Sequence, residues 1–429
     1  MAPQGTSGAA VAEAVWDDLR ARLGPEHLRS ARPADAVDGV QPQMVAEPGD
    51  EALVAATLHW ARDAGVAVSP RGGGTKLAWG NPPARADLVL STARLDRIIE
   101  HVWADMTVVV EAGMTIANLQ KTLAEHGQRV AVDPVWPDRS TVGGILSTND
   151  SGALRLRFGA LRDLVIGVTL ALPDGTLARS GGKVVKNVAG YDLPKLATGA
   201  LGTLGVITQA AFRLHPAPQQ TRTLTFRTAS FADANRIILA AQDSPLAHTS
   251  LQARLAYDGP GSVDIRFEGT TAGIDAQCAT VTKLAGASAQ PADSAGVWDA
   301  RQTLWSPAAD GTALAKFSVL PSKIADACET IRSAAEQGGI SWKIVVQGTG
   351  LGWVRLESQK HGALHAALVA LRENFEKQAG SLFVAHHPAG MTAFDAWGSA
   401  GDALPVMVRV KQQLDPLGTL NPGRFVGGI

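Results

Sequence analysis

The chain has 429 residues, 45% hydrophobic and 18% charged, which is enough for a large core spread over two to three domains. Lysine plus arginine (39) balances aspartate plus glutamate (40), so no net basic field points to nucleic acid or an anionic membrane. Two cysteines, Cys278 and Cys328, are too few for a disulfide framework or for an iron–sulfur cluster held by this chain alone.

In chain order, residues 1–45 are Ala-, Asp- and Pro-rich, with one weak helical pattern around Val15 to Leu23. The start, MAPQGTSGAAVAEAV, lacks a basic stretch followed by an apolar core, and no apolar run approaches 18 residues. A soluble, cytoplasmic chain is the expectation, membrane-associated at most through partners. Asp50 is placed to cap a helix whose Leu53, Val54, Thr57, Leu58 and Ala61 share one face, with Gly65 at its end. Val66 to Ser69 reads as a short buried strand running into Pro70-Arg71-Gly72-Gly73-Gly74-Thr75. Consecutive N–H groups in such a turn form a concave anion cradle. Asn81-Pro82-Pro83 follows too soon for a Rossmann helix, and no Gly-Lys-Ser/Thr closes a Walker loop.

Leu88 to Ser91 and Thr107 to Glu111 are predicted strands, and Thr115 caps a helix bearing Ile116, Leu119 and Leu123. Val130 to Val132 reads as a further strand, leading into Asp133-Pro134-Val135-Trp136-Pro137. Glycines then fall together at Gly143–Gly144, Gly181–Gly182 and Gly202/Gly205, each beside small polar side chains. One such pair is ordinarily a turn or bulge. Several in one segment let backbone amides approach a large polyanion, for which a dinucleotide is the obvious candidate. Leu164 to Leu172 is a strong strand, Pro173-Asp174-Gly175 a hairpin turn, Asp192 a helix cap, and Gly205 to Leu214 a last strand before His215-Pro216-Ala217-Pro218.

Beyond Gln219 helices and strands alternate. Phe231, Ala234, Ile238 and Ala241 share a helical face, as do Ile274, Cys278, Val281 and Leu284, and Ile324, Cys328, Ile331 and Ala335. The two cysteines therefore read as small buried apolar residues. Val263 to Phe267, Ile340 to Val346, Trp353 to Leu356 and Leu382 to Ala385 read as strands. The pattern is α+β, an antiparallel sheet covered on one face. A final helix near Ala403 to Leu414 ends in Leu414-Asp415-Pro416 and Leu420-Asn421-Pro422-Gly423.

Together these motifs resemble the vanillyl-alcohol-oxidase, or PCMH-type, family of FAD-binding flavoproteins, closely over about Glu47 to Pro218 and loosely beyond. The resemblance implies a two-subdomain FAD-binding domain over residues 46–218, an α+β cap over 219–400 and a C-terminal return over 401–429, with 1–45 an N-terminal extension. It implies cofactor contacts from Pro70, Arg71, Gly72, Gly73, Gly74 and Thr75. It implies others from Thr141, Gly143, Gly144, Thr148 and Gly152, from Gly202, Val206 and Ile207, and from Asn421; Asp133 is counted with them. Thr75 stands where relatives with a covalent flavin carry histidine, so the FAD is expected to be non-covalent. Gly181 to Leu193 is similar to the glycolate oxidase and D-lactate dehydrogenase branch. The short second half resembles accessory FAD-binding subunits, which implies as partners a second FAD-containing catalytic subunit and an iron–sulfur subunit. Lys183, Lys186 and Tyr191 lie in this segment, and flavin contact and loop packing are equally open to them. His386 and His387 lack the nearby carboxylate of the catalytic relatives, so no metal is expected, and no catalytic base is identified. A self-sufficient 2-hydroxy-acid dehydrogenase and a flavin-stabilised structural subunit are the alternatives.

Overall fold

The computed structural model describes residues 11–182, 190–286, 291–293, 296–306, 310–392 and 394–429. The chain forms two compact units. The first comprises Met1–Asp150, Ala160–Pro216 and Ser399–Ile429; the second comprises Ser151–Gly159 and Ala217–Gly398.

The first unit opens with helix α1 (Glu13–Leu23), whose Trp16, Leu19 and Leu23 are buried at i, i+3 and i+7. Trp16 meets Trp60 at a ring separation of 5.8 Å, so residues read from sequence as an extension pack into the core of this unit. Strands β1 (Leu28–Ser30), β2 (Met44–Ala46), β3 (Val68–Arg71) and β4 (Leu88–Ser91) form a sheet in the order β1-β2-β4-β3. β2, β4 and β3 are parallel, and β1 is antiparallel to β2. Parallel strands need crossover connections; α2 (Glu51–Asp63) carries the chain from β2 to β3 on the two sides of β4, capped by Asp50 Oδ1, which accepts from Leu53 N at 2.8 Å. β3 delivers the chain directly into the glycine loop at Gly72.

The second sheet is antiparallel, β5-β6-β10-β8-β9, from Ile98–Val102 (β5), Thr107–Glu111 (β6), Val165–Ala171 (β8), Leu177–Gly181 (β9) and Val206–Arg213 (β10). Gly175, at φ 84°, makes the β8–β9 turn where Pro173-Asp174-Gly175 predicted one. α3 (Ile116–Ala124) and α4 (Val142–Thr148) are capped by Thr115 and Thr141. The strand expected at Val130 to Val132 does not form. Gln128–Arg129 (β7) pairs instead with His215–Pro216 (β11), and the Gln120 amide takes over at Val130, accepting from its N–H (3.1 Å) and donating to its carbonyl (2.6 Å).

The second unit is one eight-stranded antiparallel sheet, ordered β15-β12-β14-β13-β17-β18-β16-β19. Its strands are Gln220–Thr228 (β12), His248–Ala256 (β13), Gly261–Gly269 (β14), Pro291–Asp293 (β15), Thr312–Ser318 (β16), Ser341–Gln347 (β17), Leu351–Glu357 (β18) and Ser381–His386 (β19). Helices α5 (Phe231–Gln242), α6 (Thr271–Ala285), α7 (Ile324–Gly338) and α8 (His361–Lys377) pack into its apolar core, where Val263, Ile265 and Phe267 meet Ile238, Ile274 and Ile331. The alternate residues are polar. Asp264, fully buried, accepts from Thr225, Gln252 and Arg254, so its charge is paired and hydrogen-bonded, as a buried charge must be.

Candidate cofactor site

The loops at Gly72–Gly74, Gly143–Gly144 and Gly202/Gly205 converge in the first unit on a single cleft, whereas Gly181 and Gly182, grouped with them in the sequence, do not line it. It is lined by Pro70 to Leu77, Thr92, Thr141, Gly143, Gly144, Ser147, Thr148, Leu201, Gly202, Gly205 to Ile207, Asn421 and Arg424. Among the described residues the lining carries three cationic side chains, Arg71, Lys76 and Arg424, and no carboxylate.

Each loop is held by local chemistry. Thr92 N donates to Arg71 O at 2.9 Å, fixing the start of the glycine turn. A Cβ on Gly73 would run into the carbonyl oxygen of Arg139, and one on Gly72 into the Thr141 hydroxyl. Glycine is therefore demanded there by the neighbouring loop and leaves the cleft side bare. Gly143 approaches Ala112 the same way, its N–H donating to Ala112 O at 2.8 Å. Leu201 N donates to Ser147 O at 2.8 Å, tying the third loop to the end of α4. Leu201 (φ 50°), Gly202 (67°), Gly74 (69°) and Asn421 (43°) all sit in the left-handed region around the cleft. For the two non-glycines this costs of order 1–3 kcal/mol each, a kind of strain that clusters at ligand sites.

Behind the glycine turn lies a buried ion pair, Lys76 Nζ to Asp150 Oδ2 at 3.2 Å, with side chains 4% and 0% exposed. The ammonium also donates to Ser140 Oγ (2.7 Å) and Thr75 Oγ1 (3.2 Å), and Val135 N donates to Asp150 Oδ2 (3.1 Å). These bonds stitch the first glycine loop to the second segment. Arg71 is paired outward with Asp35 at 2.6 Å. The Arg29 guanidinium, joined by Arg71, holds the Asp35 carboxyl well below the usual carboxylate range against its burial.

The C-terminal return locks the cleft. Val68 N donates to Thr419 O (2.7 Å) and Asn421 N to Val68 O (2.9 Å), so residues 419–421 lie alongside β3. Lys411, the one buried residue of helix Leu404–Leu414, donates to Asp415 (2.6 Å), Thr203 O (2.7 Å) and Leu420 O (2.9 Å). Burial draws this ammonium below its ordinary pKa, and Asp415 opposes the shift. Arg424 donates to Leu77 O and Trp79 O at 2.8 and 2.6 Å, and its burial lowers it to about 10, still charged at neutral pH.

Of the predicted cofactor residues, Pro70 to Thr75, Thr141, Gly143, Gly144, Thr148, Gly202, Val206, Ile207 and Asn421 line the cleft; Asp133 and Gly152 do not. Asp133 is half-buried, and the carboxylate built into this segment is Asp150, tied to Lys76 behind the loop. Gly152 belongs to the second unit. Lys183 and Lys186 lie outside the described residues. Tyr191 is 91% exposed, and its carbonyl accepts from Ser180 Oγ. In the second unit, His386 and Arg355 flank Leu314 on adjacent strands. Burial, with His387 and Arg355 nearby, lowers the His386 pKa. Among the described residues no group of three or more His, Cys, Asp or Glu side chains is arranged to hold a metal ion. The sequence reading assigns no role to Lys76, Asp150, Lys411 or Arg424; the Lys411–Asp415 spacing of four was the one available signal.

The chemistry of the lining suits a dinucleotide. Backbone approaches bare of Cβ suit a pyrophosphate, and the lining sets no carboxylate against it, Asp35 and Asp150 being held by Arg71 and Lys76. Asn421 Oδ1, buried among the lining residues without a partner, is an acceptor that a hydroxyl or amine of the cofactor would satisfy.

Residues 42–181 match the FAD binding domain family. The chain is 34% identical over 183 residues to glycolate oxidase subunit GlcD of Bacillus subtilis, covering 43% of this chain and 39% of that protein. It is 33% identical over 219 residues to D-lactate dehydrogenase of Archaeoglobus fulgidus, covering 50% and 49%. The matched segments thus span less than half the length of these relatives. The fold is similar to that of alkyldihydroxyacetonephosphate synthase, with a TM-score of 0.74 at 19% identity over 98% of this chain and 87% of that one. Residues 42–181 of this chain are an FAD binding domain of the PCMH type.

Proposed function

We propose that the chain is an FAD-dependent oxidoreductase acting on 2-hydroxy acids, and specifically an FAD-carrying subunit of a glycolate-oxidase-like complex. The observation that carries the cofactor assignment is the cleft walled by glycines whose Cβ positions are filled by neighbouring loops, with no carboxylate among its described lining residues. The substrate class rests on the glycolate- and D-lactate-oxidising relatives.

Bound FAD supplies the two-electron acceptor for oxidation at the hydroxyl-bearing carbon. The protein's part is placement. Gly72 to Gly74 and Gly143–Gly144 receive the pyrophosphate, Lys76 and Arg424 hold their loops in register, and Asn421 joins the C-terminal return to the cofactor. Thr75, in place of a linking histidine, leaves the flavin non-covalent. The second unit offers a half-buried His386 across β16 from Arg355, but the Arg355 guanidinium is already taken up by Glu357, Leu304 O and Thr312. A hydroxy-acid carboxylate therefore finds no ready anchor there, which supports the subunit reading over a self-sufficient dehydrogenase.

Two measurements test this. Acid precipitation of the purified protein should leave the yellow flavin in the supernatant; fluorescence retained on a denaturing gel band would refute the non-covalent site. The FAD-loaded chain should reduce an artificial dye only slowly with glycolate or D-lactate, and orders of magnitude faster once a second flavoprotein and an iron–sulfur subunit are added. Equal rates alone and in the complex would overturn the subunit assignment and leave the cofactor assignment standing.

A further inference from the structure

The second unit contains a cleft of ≈ 690 Å³ that the flavin reading does not use. It opens between the β13–β14 turn, the start of α5 and one face of α7. Phe231, Trp342, Tyr257, Leu255 and Ile340 supply apolar and aromatic lining. The Phe231 and Trp342 rings meet edge to face at 5.9 Å, and Tyr257 is 58% exposed. Its size lies within the roughly 300–1,000 Å³ of small-molecule sites, and a mostly apolar wall with a few convergent polar groups is their usual make-up.

The charge on the rim is one-sided. Glu329, Arg332 and Glu336 stand at i, i+3 and i+7 on α7 and, among the described residues, are the only ionisable acids and bases lining the cleft apart from the Tyr257 phenol. Arg332 pairs closely with Glu329 and reaches Glu336 at only 3.5 Å. One guanidinium thus serves two carboxylates, leaving a net negative charge beside three aromatic rings. In the wall, Thr228 is 5% exposed and its hydroxyl has no hydrogen-bond partner. Gly261 keeps the backbone close to this hydroxyl, since a Cβ there would lie 2.6 Å from it.

We propose that this cleft binds a small organic cation, an ammonium on an apolar or aromatic body. Aromatic faces attract a cation through their quadrupole, a desolvated ammonium gains most from it, and the surplus carboxylate completes the charge. The ammonium N–H groups would also give the Thr228 hydroxyl the donor it lacks. An anionic ligand of the same shape meets repulsion from the Glu329/Glu336 rim.

Calorimetric titration of the FAD-loaded full chain with phenethylammonium, 2-phenylethanol and phenylacetate separates charge from shape. The ammonium should bind about ten-fold or more tighter than phenylacetate, with the alcohol between, and should leave the flavin absorption unchanged. Glu329→Gln with Glu336→Gln, both on exposed positions, should abolish the preference for the cation. Phe231→Ala should weaken both ammonium and alcohol. The proposal is overturned if no probe binds, if the three bind alike, if the double variant keeps the preference, or if the ammonium perturbs the flavin spectrum. The first three outcomes leave the flavin assignment standing, because that cleft is built from residues of the other unit.

Discussion

Replacing Lys411 with methionine removes the cation that holds the C-terminal return to the third glycine loop while keeping the length of the side chain. Asp415 would then stay 2% exposed without its partner, and the carbonyls of Thr203 and Leu420 would each lose a donor. Deleting one member of a buried pair costs about 3–5 kcal/mol. Asp415 keeps two backbone donors, Thr419 N at 2.9 Å and Leu420 N at 2.8 Å, so the lower end, about 3 kcal/mol, is expected for the first unit. Thr203 adjoins Gly202 and Leu420 adjoins Asn421, both in the cleft wall. Each 1.4 kcal/mol of this loss that reaches the bound state weakens FAD about ten-fold. The assay is urea denaturation of the flavin-free chain by circular dichroism, paired with FAD titration by quenching of flavin fluorescence. Lys411→Met combined with Asp415→Asn should be more stable than Lys411→Met alone by more than about 1 kcal/mol, because the buried charge is gone. If Lys411→Met changes stability by under about 0.5 kcal/mol and FAD affinity stays the same, the pair does not organise the site and the reasoning fails.

Gly73→Ala should cost about 1–3 kcal/mol and most of the FAD occupancy, because its Cβ must displace the Arg139 carbonyl; Gly273→Ala, exposed near the start of α6, should retain full flavin by absorption. Asp35, held below its ordinary value of 3.8 by Arg29 and Arg71, contributes stability that is present above about pH 4 and lost as the pH falls, since the unfolded chain takes up the proton first. Urea midpoints measured between about pH 3 and 6 should therefore fall less steeply toward acid in Asp35→Asn than in the parent. Burial pushes the Cys328 thiol up to about 12 while Cys278 is half-buried, so a thiol reagent at mild pH should titrate one cysteine in the native protein and two in denaturant; fast reaction of both would place Cys328 wrongly.

Sequence periodicity determined much of this molecule. Asp50 and Thr115 cap helices because short polar oxygens reach N–H groups three residues on. Strand alternation at Val263 to Phe267 and the Pro173-Asp174-Gly175 turn are likewise local events, and the glycine loops announced a polyanion site. What the sequence left open was settled by groups far apart in the chain. Residues 1–45 looked like an extension because Trp16 has no partner until Trp60 is brought to it. Val130 to Val132 looked like a strand because nothing local shows that Gln120 will take its backbone bonds. Gly73 was legible as a flexible residue, but only the fold shows that Arg139 forbids it a side chain. The buried charges follow the same rule. Lys76 and Asp150 are 74 positions apart, and Lys411 reaches Thr203 across 208. Patterns repeating every two to four residues record local geometry, whereas the desolvation that forces a lysine to find its carboxylate exists only once the chain has closed around both.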